Sequence, residues 1–460
     1  MFGLKRPLCL LVLVFVLGGV FSQTPPPFSA PGSDLAVRGN YLTIKVALAG
    51  PGDELYFWWG HIGLVIEDAL SGQSRFYDWG VFSFDTENFY RDFAFGRLFY
   101  RCDVSGSEDN IARYVLANRD ITLYTLNLPP ETKTELLLFA ENNVLPENRN
   151  YLYHHFRDNC ATRVRDIIDR GSGGAFGEAF RAAPGRFTLR EQVRRHTWFS
   201  PFWDWALSFW MGRDIDRPAT VWDEMFLPSE IALRIADFRY TDSGGAERRL
   251  VSAVEPLYRA QGRPGVREDP GPSWPVPLAA GLTAALVFAL LRAGTTRNGG
   301  VSGSGRAGDG QAGGLSRLCR KASGLLQAAL GLFWGGAGFL LFFMAFFTTH
   351  DYTRHNNNLL LVNPLLLAAV PLGIRYALGQ KKSRRADLRR ADFCRAESLL
   401  KLLWTVVLAG GLAALALNVV PALFQRNAAT LVMVMPPAAV LSFLPDRLLR
   451  RPLRFSRQGL

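Results

Sequence analysis

Five apolar runs in the C-terminal part of the chain limit its fold more than any other feature. They are Trp274–Leu291, Leu325–Phe347, Leu359–Leu378, Leu399–Leu423 and Thr430–Leu444. The first four have the length an α-helix needs to cross a bilayer core, and the fifth is short. Basic stretches separate them: Arg292–Lys321, Lys381–Arg395, and a tail with Arg447, Arg450, Arg451, Arg454 and Arg457. At the other end, Lys5 and Arg6 precede an apolar run from Leu8 to Val20, followed by small or polar residues. That order is a secretory signal, too short to span comfortably. A signal places the following domain outside, so the first run passes inward. All the basic stretches then fall inside, with only Arg354 and Arg426 in the outer loops, as the positive-inside rule requires. The net charge of +12 is therefore a matter of topology, and no nucleic-acid partner is expected.

The chain divides accordingly into a signal peptide (1–22), a globular domain (35–261), a proline-rich linker (262–273), a membrane part (274–446) and a basic cytoplasmic tail (447–460). Gln23–Gly32 is a second proline-rich linker. In the globular part, Leu42–Leu48, Ile62–Glu67, Arg75–Trp79, Arg97–Cys102 and Ile121–Leu126 read as strands. Helices are expected over Thr86–Phe93, Glu108–Leu116 and from Pro129-Pro130 to about Asn143, and Arg239–Ala253 suggests a hairpin. Strands and helices interspersed with hairpin-like turns predict an α+β domain with a mostly antiparallel sheet. Trp198–Met211 is crowded with aromatic residues, which suit a core and a lipid headgroup region equally. The glycine-rich run Gly299–Gly314 follows no strand and lacks a lysine-serine ending, so it is a flexible loop and not a phosphate loop.

The chemistry centres on two stretches. Asp158-Asn159-Cys160-Ala161-Thr162-Arg163-Val164-Arg165-Asp166-Ile167-Ile168 reads as a helix, with Asn159 or Asp158 as N-cap and Gly171 as the stop. Val164, Ile167 and Ile168 share the buried stripe with Cys160, which occupies the opening turn. There, unpaired backbone N–H groups and the helix dipole favour a thiolate. Gly60-His61-Ile62-Gly63-Leu64-Val65-Ile66 reads as a strand with His61 at its mouth, a base for a cysteine nucleophile. Gly63, on the face of His61, has no side chain, and a helix is expected to approach there. A third group should orient the imidazole. Asp78 is the first choice and Tyr77 the second; they point to opposite faces of one strand, and the register decides between them.

The plainer alternative for Cys160 is a disulfide with Cys102, though such a bond makes no use of His61. The five cysteines have no paired spacing, and His154 and His155 have no cysteine or carboxylate at ligand spacing. No metal or organic cofactor is expected.

Several stretches together resemble the Lnb-type N-terminal periplasmic domain family. They are Gly50-Pro51-Gly52-Asp53-Glu54-Leu55, Gly60-His61, Tyr77-Asp78-Trp79-Gly80 with Phe82-Ser83-Phe84, Pro146-Glu147-Asn148-Arg149, Asp158-Asn159-Cys160-Ala161-Thr162-Arg163 and Met225-Phe226-Leu227-Pro228. The outer-loop segment His350–Pro364 is similar to the family's membrane half. The resemblance implies a multi-pass protein of the bacterial inner membrane, with its N-terminal domain in the periplasm. It also implies an α+β, permuted papain-like domain, related to the NlpC/P60 group, followed by an all-α transmembrane bundle of about five helices. The implied activity is that of a thiol acyltransferase. Cys160, served by His61 and Asp78, would take an acyl chain from phospholipid as a thioester and pass it to the N-terminal amine of a diacylglyceryl-cysteine lipoprotein. Tyr77, Asn159, His350 and Asn357 are the residues expected to bind substrate. Two other classes fit some of the same residues: a membrane-tethered cysteine peptidase or amidase of the envelope, and a non-catalytic assembly factor. The first needs only one anchor, whereas a lipid donor and a lipidated acceptor require a site at the bilayer.

Overall fold

A computed structural model describes residues 35–85, 87–296, 311–379 and 386–442. The signal segment, the linker 23–32, most of the glycine-rich loop, residues 380–385 and the tail 447–460 lie outside the described residues. The rest forms two compact units. One contains the residues up to Phe199 together with Arg217–Pro270; the other contains Ser200–Asp216 and the chain from Gly271 onward.

The first unit is built on a seven-stranded sheet. Its strands are β1 (Leu42–Ala49), β2 (His61–Asp68), β3 (Gln73–Val81), β4 (Phe99–Gly106), β5 (Ile121–Leu126) and β6 (Asn150–Leu152). β7 (Arg239–Thr241) and β8 (Glu247–Arg249) form the expected hairpin, and β9 (Val251–Tyr258) returns to the main sheet. The order is β6-β4-β3-β2-β1-β5-β9, and every neighbouring pair is antiparallel.

Both faces of the sheet are covered, which is why its central strands are apolar at nearly every position. Ile44, Val46, Ile62, Leu64, Tyr77 and Trp79 line one face. The helices Pro130–Asn143 and Cys160–Gly171 pack there, the latter lying on β2 and β3 through Val164, Ile167 and Ile168. Burial of each such aliphatic side chain stabilises by roughly 1.5–3 kcal/mol. Ala47, Ala49, Val65, Phe76, Ile121 and Leu123 line the opposite face beneath the helix Ser107–Leu116, which contributes Tyr114. A side chain's position on a strand thus decides which helix it meets.

The second unit is helical. Four of its segments are long and apolar enough to cross a membrane: Pro275–Thr295, Gly314–Phe347, Asn357–Leu378 and Asp392–Leu417. A shorter apolar helix, Ala428–Ser442, follows. The third segment is not one α-helix. It starts with 3-10 turns at Asn357–Leu360 and Pro364–Ala368 and becomes α-helical only over Ala369–Leu378. Pro364 has no N–H to donate, and Asn363 Oδ1 accepts from Leu365 N at 3.1 Å, so the chain turns before the helix begins.

The aromatic segment from Ser200 onward belongs to this unit, although its sequence position is inside 35–261, while Trp198 and Phe199 stay with the first unit. In the helix Pro201–Trp210, Trp205 and Phe209 are buried, while Phe202 is exposed. The Trp205 ring meets Trp334 edge-on, 5.7 Å between centroids, and its N–H donates to Thr430 Oγ1 at 3.3 Å. The helix's last carbonyls have no partner within the helix. Asn356 Nδ2 donates to Phe209 O at 2.8 Å, Asn358 Nδ2 to the same oxygen at 3.1 Å, and Gln425 Nε2 to Met211 O at 3.3 Å. The outer-loop asparagines therefore act as the helix's C-terminal cap.

Small residues allow close contacts in this unit. A Cβ on Gly335 would lie 2.5 Å from Leu367 N, whereas one on the adjacent Gly336 would meet nothing within 4 Å. Backbones this close leave no room for a methyl group. Gly335→Ala is expected to lower stability by about 1–3 kcal/mol. Gly336→Ala should raise it slightly, because alanine favours the helix. Thermal melting of the detergent-solubilised protein checks the pair.

Candidate active site

Cys160 opens its helix because the residue before it is a complete cap. Asn159 is extended (φ −129°), and its Oδ1 accepts from Thr162 N at 2.9 Å. Thr162 Oγ1 in turn accepts from Asn159 N at 2.8 Å, so the two side chains satisfy each other's backbone. Asn159 Nδ2 donates to His155 O at 2.7 Å and to Phe226 O at 3.0 Å. All the polar atoms of this side chain are thus engaged, and it is buried. Asn159, expected to bind substrate, is engaged in fixing the start of the helix.

His61 is the first residue of β2, at the sheet end where the Cys160 helix begins. Its Nε2 donates to Asp78 Oδ1 at 2.6 Å, which leaves Nδ1 as the other ring nitrogen. Burial opposes a charged ring here. The Asp78 carboxylate bonded to the ring, with Tyr114 and Cys160 adding to it, outweighs burial and holds the imidazole well above its ordinary value. Cys160 is therefore close enough to act electrostatically on His61. Arg119, also buried, feels the same thiol; its Nε donates to Gly50 O at 2.9 Å and its guanidinium lies 5.0 Å from the Tyr114 ring centre.

The approach of the helix is allowed by a different glycine from the expected one. A Cβ on Gly63 would lie 2.3 Å from Phe76 Cε1, so Gly63 makes room for the phenyl ring on the far face, not for the Cys160 helix. The glycine beside the cysteine is Gly80, where β3 shifts register and φ is +95°. A Cβ there would lie 3.8 Å from Cys160 Cβ and 4.0 Å from both the Tyr151 hydroxyl and Tyr153 Cε2. Lacking one, Gly80 leaves a methyl-sized space beside the thiol.

The two candidates for orienting His61 separate by face. Tyr77 is fully buried on the opposite side of the sheet, where its hydroxyl donates to Glu141 Oε1, itself bonded to Arg75 at 2.9 Å. Tyr77, the second choice for orienting the ring and expected to bind substrate, is closed to solvent on the face away from His61. Cys102 and Cys160 are both free thiols, and the alternative disulfide is not formed. His154 Nδ1 accepts from Phe156 N at 3.2 Å and Arg157 N at 3.1 Å, which holds a turn. Among the described residues no group of three or more histidine, cysteine and acidic side chains is arranged to hold a metal ion.

The remaining two candidates belong to the helical unit. His350 begins the 3-10 turn Asp351–Thr353, its carbonyl accepting from Thr353 Oγ1 at 2.7 Å. Asn357 is buried; its N–H donates to Gln425 Oε1 at 2.7 Å and its Nδ2 to Leu423 O at 2.8 Å. Asn357 ties two outer loops together. Tyr114, Arg119 and Tyr151 are the side chains around the thiol that sequence reasoning missed. None lies in a recognisable spacing from Cys160, and only the fold brings them there.

Residues 34–190 match the Lnb N-terminal periplasmic domain, and residues 315–385 match the Lnb transmembrane domain. The two matches support the Lnb family. Cys160, His61 and Asp78 all lie within the matched part of the periplasmic domain. No curated protein and no solved structure matches the chain. The Lnb matches and the apolar helices together describe a membrane protein with a periplasmic domain.

Because the folded value of His61 lies above that of the unfolded chain, the charged ring stabilises the fold in full below about pH 6.5. That contribution is lost as pH rises through the raised folded value. In Asp78→Asn the carboxylate is gone and burial remains, so the His61 titration should move down toward or below the ordinary value. Ring NMR of histidine-labelled protein measures the shift; an unchanged midpoint would show that Asp78 does not hold the charge.

Proposed function

We propose that the chain is a thiol acyltransferase of the bacterial inner membrane. It would carry an acyl group from phospholipid, through a Cys160 thioester, to the N-terminal amine of a diacylglyceryl-cysteine lipoprotein. The observation that carries this reading is the His61–Asp78 bond at the sheet end where a capped helix presents Cys160. Histidine on a strand, cysteine at a helix start and a carboxylate behind the histidine are what covalent thiol catalysis needs. The same layout, with histidine earlier in the chain than cysteine, is similar to that of permuted papain-like enzymes.

In the first step the Cys160 thiolate attacks the ester carbonyl, and its proton resides on His61. A C–S bond forms, the carbonyl π pair moves to oxygen, and collapse expels the glycerol oxygen, which takes the proton from His61. In the second step the lipoprotein amine attacks the thioester, His61 removes its proton, and the thiol is released. The Asp78 carboxylate keeps the ring oriented and offsets its positive charge.

Two further features support a lipid donor over a soluble one. Four membrane-length segments are more than a tether requires. A run of rings also leads outward from the thiol. Tyr153 stacks on Tyr100 at 4.3 Å, Tyr100 on Phe82 at 4.9 Å and Phe82 on Phe89 at 6.0 Å. Exposed Tyr90, Phe93, Phe95 and Phe99 accompany them. Such a surface suits acyl chains or the headgroup region better than a peptidoglycan stem.

In cells with no second N-acylating enzyme, Cys160→Ser is expected to abolish triacylated lipoprotein, read by mass spectrometry of the lipoprotein N-terminus. Asp78→Asn should slow transfer about 100-fold, in the range of a general acid–base contribution. Hydroxylamine-labile palmitoyl label should appear on Cys160 of the native protein. Unchanged triacylation in the serine variant would end the transfer mechanism; cleavage of a peptide substrate with no acyl label would establish a hydrolase in its place.

A further inference from the structure

A buried polar hydrogen with nothing to bond is costly, and one beside a nucleophile calls for a physical account. The Tyr151 hydroxyl is such a group: it is closed to solvent and has no hydrogen-bond partner among the described residues. It flanks the methyl-sized space over Gly80, 4.0 Å from the point where a Cβ would sit, with Cys160 Cβ 3.8 Å from the same point. The ring is held from two sides. On the backbone, Tyr151 pairs with Tyr100 between β4 and β6. Over its face lies the Arg163 guanidinium, 4.1 Å from the ring centre. Arg163 is itself fixed by a forked pair with Asp158, NH2 to Oδ2 at 2.8 Å. The residues on either side of the Asn159-Cys160 cap therefore position this ring.

We propose that Tyr151 is the side-chain oxyanion donor of the site: its O–H bonds the oxygen that becomes negative when Cys160 attacks an acyl carbonyl. The inference rests on the reading of Cys160 as acyl acceptor and adds to it the group that stabilises the tetrahedral intermediate. As the C–S bond forms, the carbonyl pair moves onto oxygen in the space over Gly80. There Tyr151 donates one hydrogen bond, and the amides of the helix's first turn supply others. Burial first, and then the nearby charge of Cys160, push the phenol well above its ordinary value, so the proton stays on as a donor. No proton is transferred from Tyr151; the proton that leaves with the alcohol comes from His61.

Two reactions of the same thiol test the assignment in the full-length protein. Acylation of Cys160 by p-nitrophenyl butyrate passes through an oxyanion, whereas alkylation by iodoacetamide displaces iodide and places no charge on a carbonyl oxygen. Tyr151→Phe is expected to slow the acylation burst about 100-fold, as loss of one oxyanion donor does. It should leave alkylation of Cys160, followed by peptide mass spectrometry, within twofold. It should also melt no lower than the native protein, because the deleted hydroxyl has no partner to lose. Acylation at the native rate, or acylation and alkylation falling together, would overturn the proposal. Absence of butyryl label on Cys160 of the native protein would overturn the acyl-acceptor reading itself, and is a separate outcome.

Discussion

The bond between His61 and Asp78 is the interaction on which the rest of the first unit depends. It crosses two adjacent strands, so the β2–β3 register must be correct to a single residue. Shifting β3 by one position would bring Tyr77 to the imidazole and move Asp78 to the face covered by the Cys160 helix. The register is held by burial on both sides: Leu64 opposite Tyr77 on one face, Val65 opposite Phe76 on the other. A large apolar area thereby secures one short polar contact.

The electrostatics around the thiol have a division of labour. Asp78 and the cysteine favour a charged imidazole, while the buried guanidinium of Arg119 supplies positive charge that the ring alone does not. His196 shows what a histidine without such neighbours does. It is more deeply buried than His61, and its Nδ1 meets the carbonyl of Trp58 at 3.0 Å. Burial, partly opposed by that carbonyl, brings it down to about 4. Two histidines in one domain are thus shifted in opposite directions: a carboxylate faces the raised ring, whereas burial and the Arg195 charge lower the other.

Much of this organisation is legible in the chain before folding. Long apolar runs identify the helical unit, because few structures other than a membrane span or a buried core helix can accommodate them. Asn159 caps the Cys160 helix as its residue type indicates, since a cap is local chemistry, whereas the expected stop Gly171 is the helix's last residue and the left-handed turn comes at Gly173 and Gly174. The sheet strands follow from short apolar and β-branched runs bounded by turn residues. What could not be read depends on contacts remote in sequence. Choosing between Asp78 and Tyr77 needed the register, and choosing Gly80 over Gly63 needed to know which face the helix covers. β9 joins the sheet although the hairpin signal stops at about Ala253. The aromatic segment suited two environments equally, and only the partners Trp334 and Thr430 decide that it packs in the helical unit.

That segment has a consequence for how the chain is organised. Residues 200–216 leave the first unit, pack within the second and return, so the polypeptide passes between the units three times. A fragment cut at the proline-rich linker would carry this helix away from the helices that cover it. Trp205, Ala206 and Phe209 would face water, and the carbonyls at Phe209, Trp210 and Met211 would lose the amide side chains that receive them. The sheet-bearing portion is therefore not a detachable soluble module. Residues 200–216 stitch the sheet-bearing unit and the helical unit into one polypeptide.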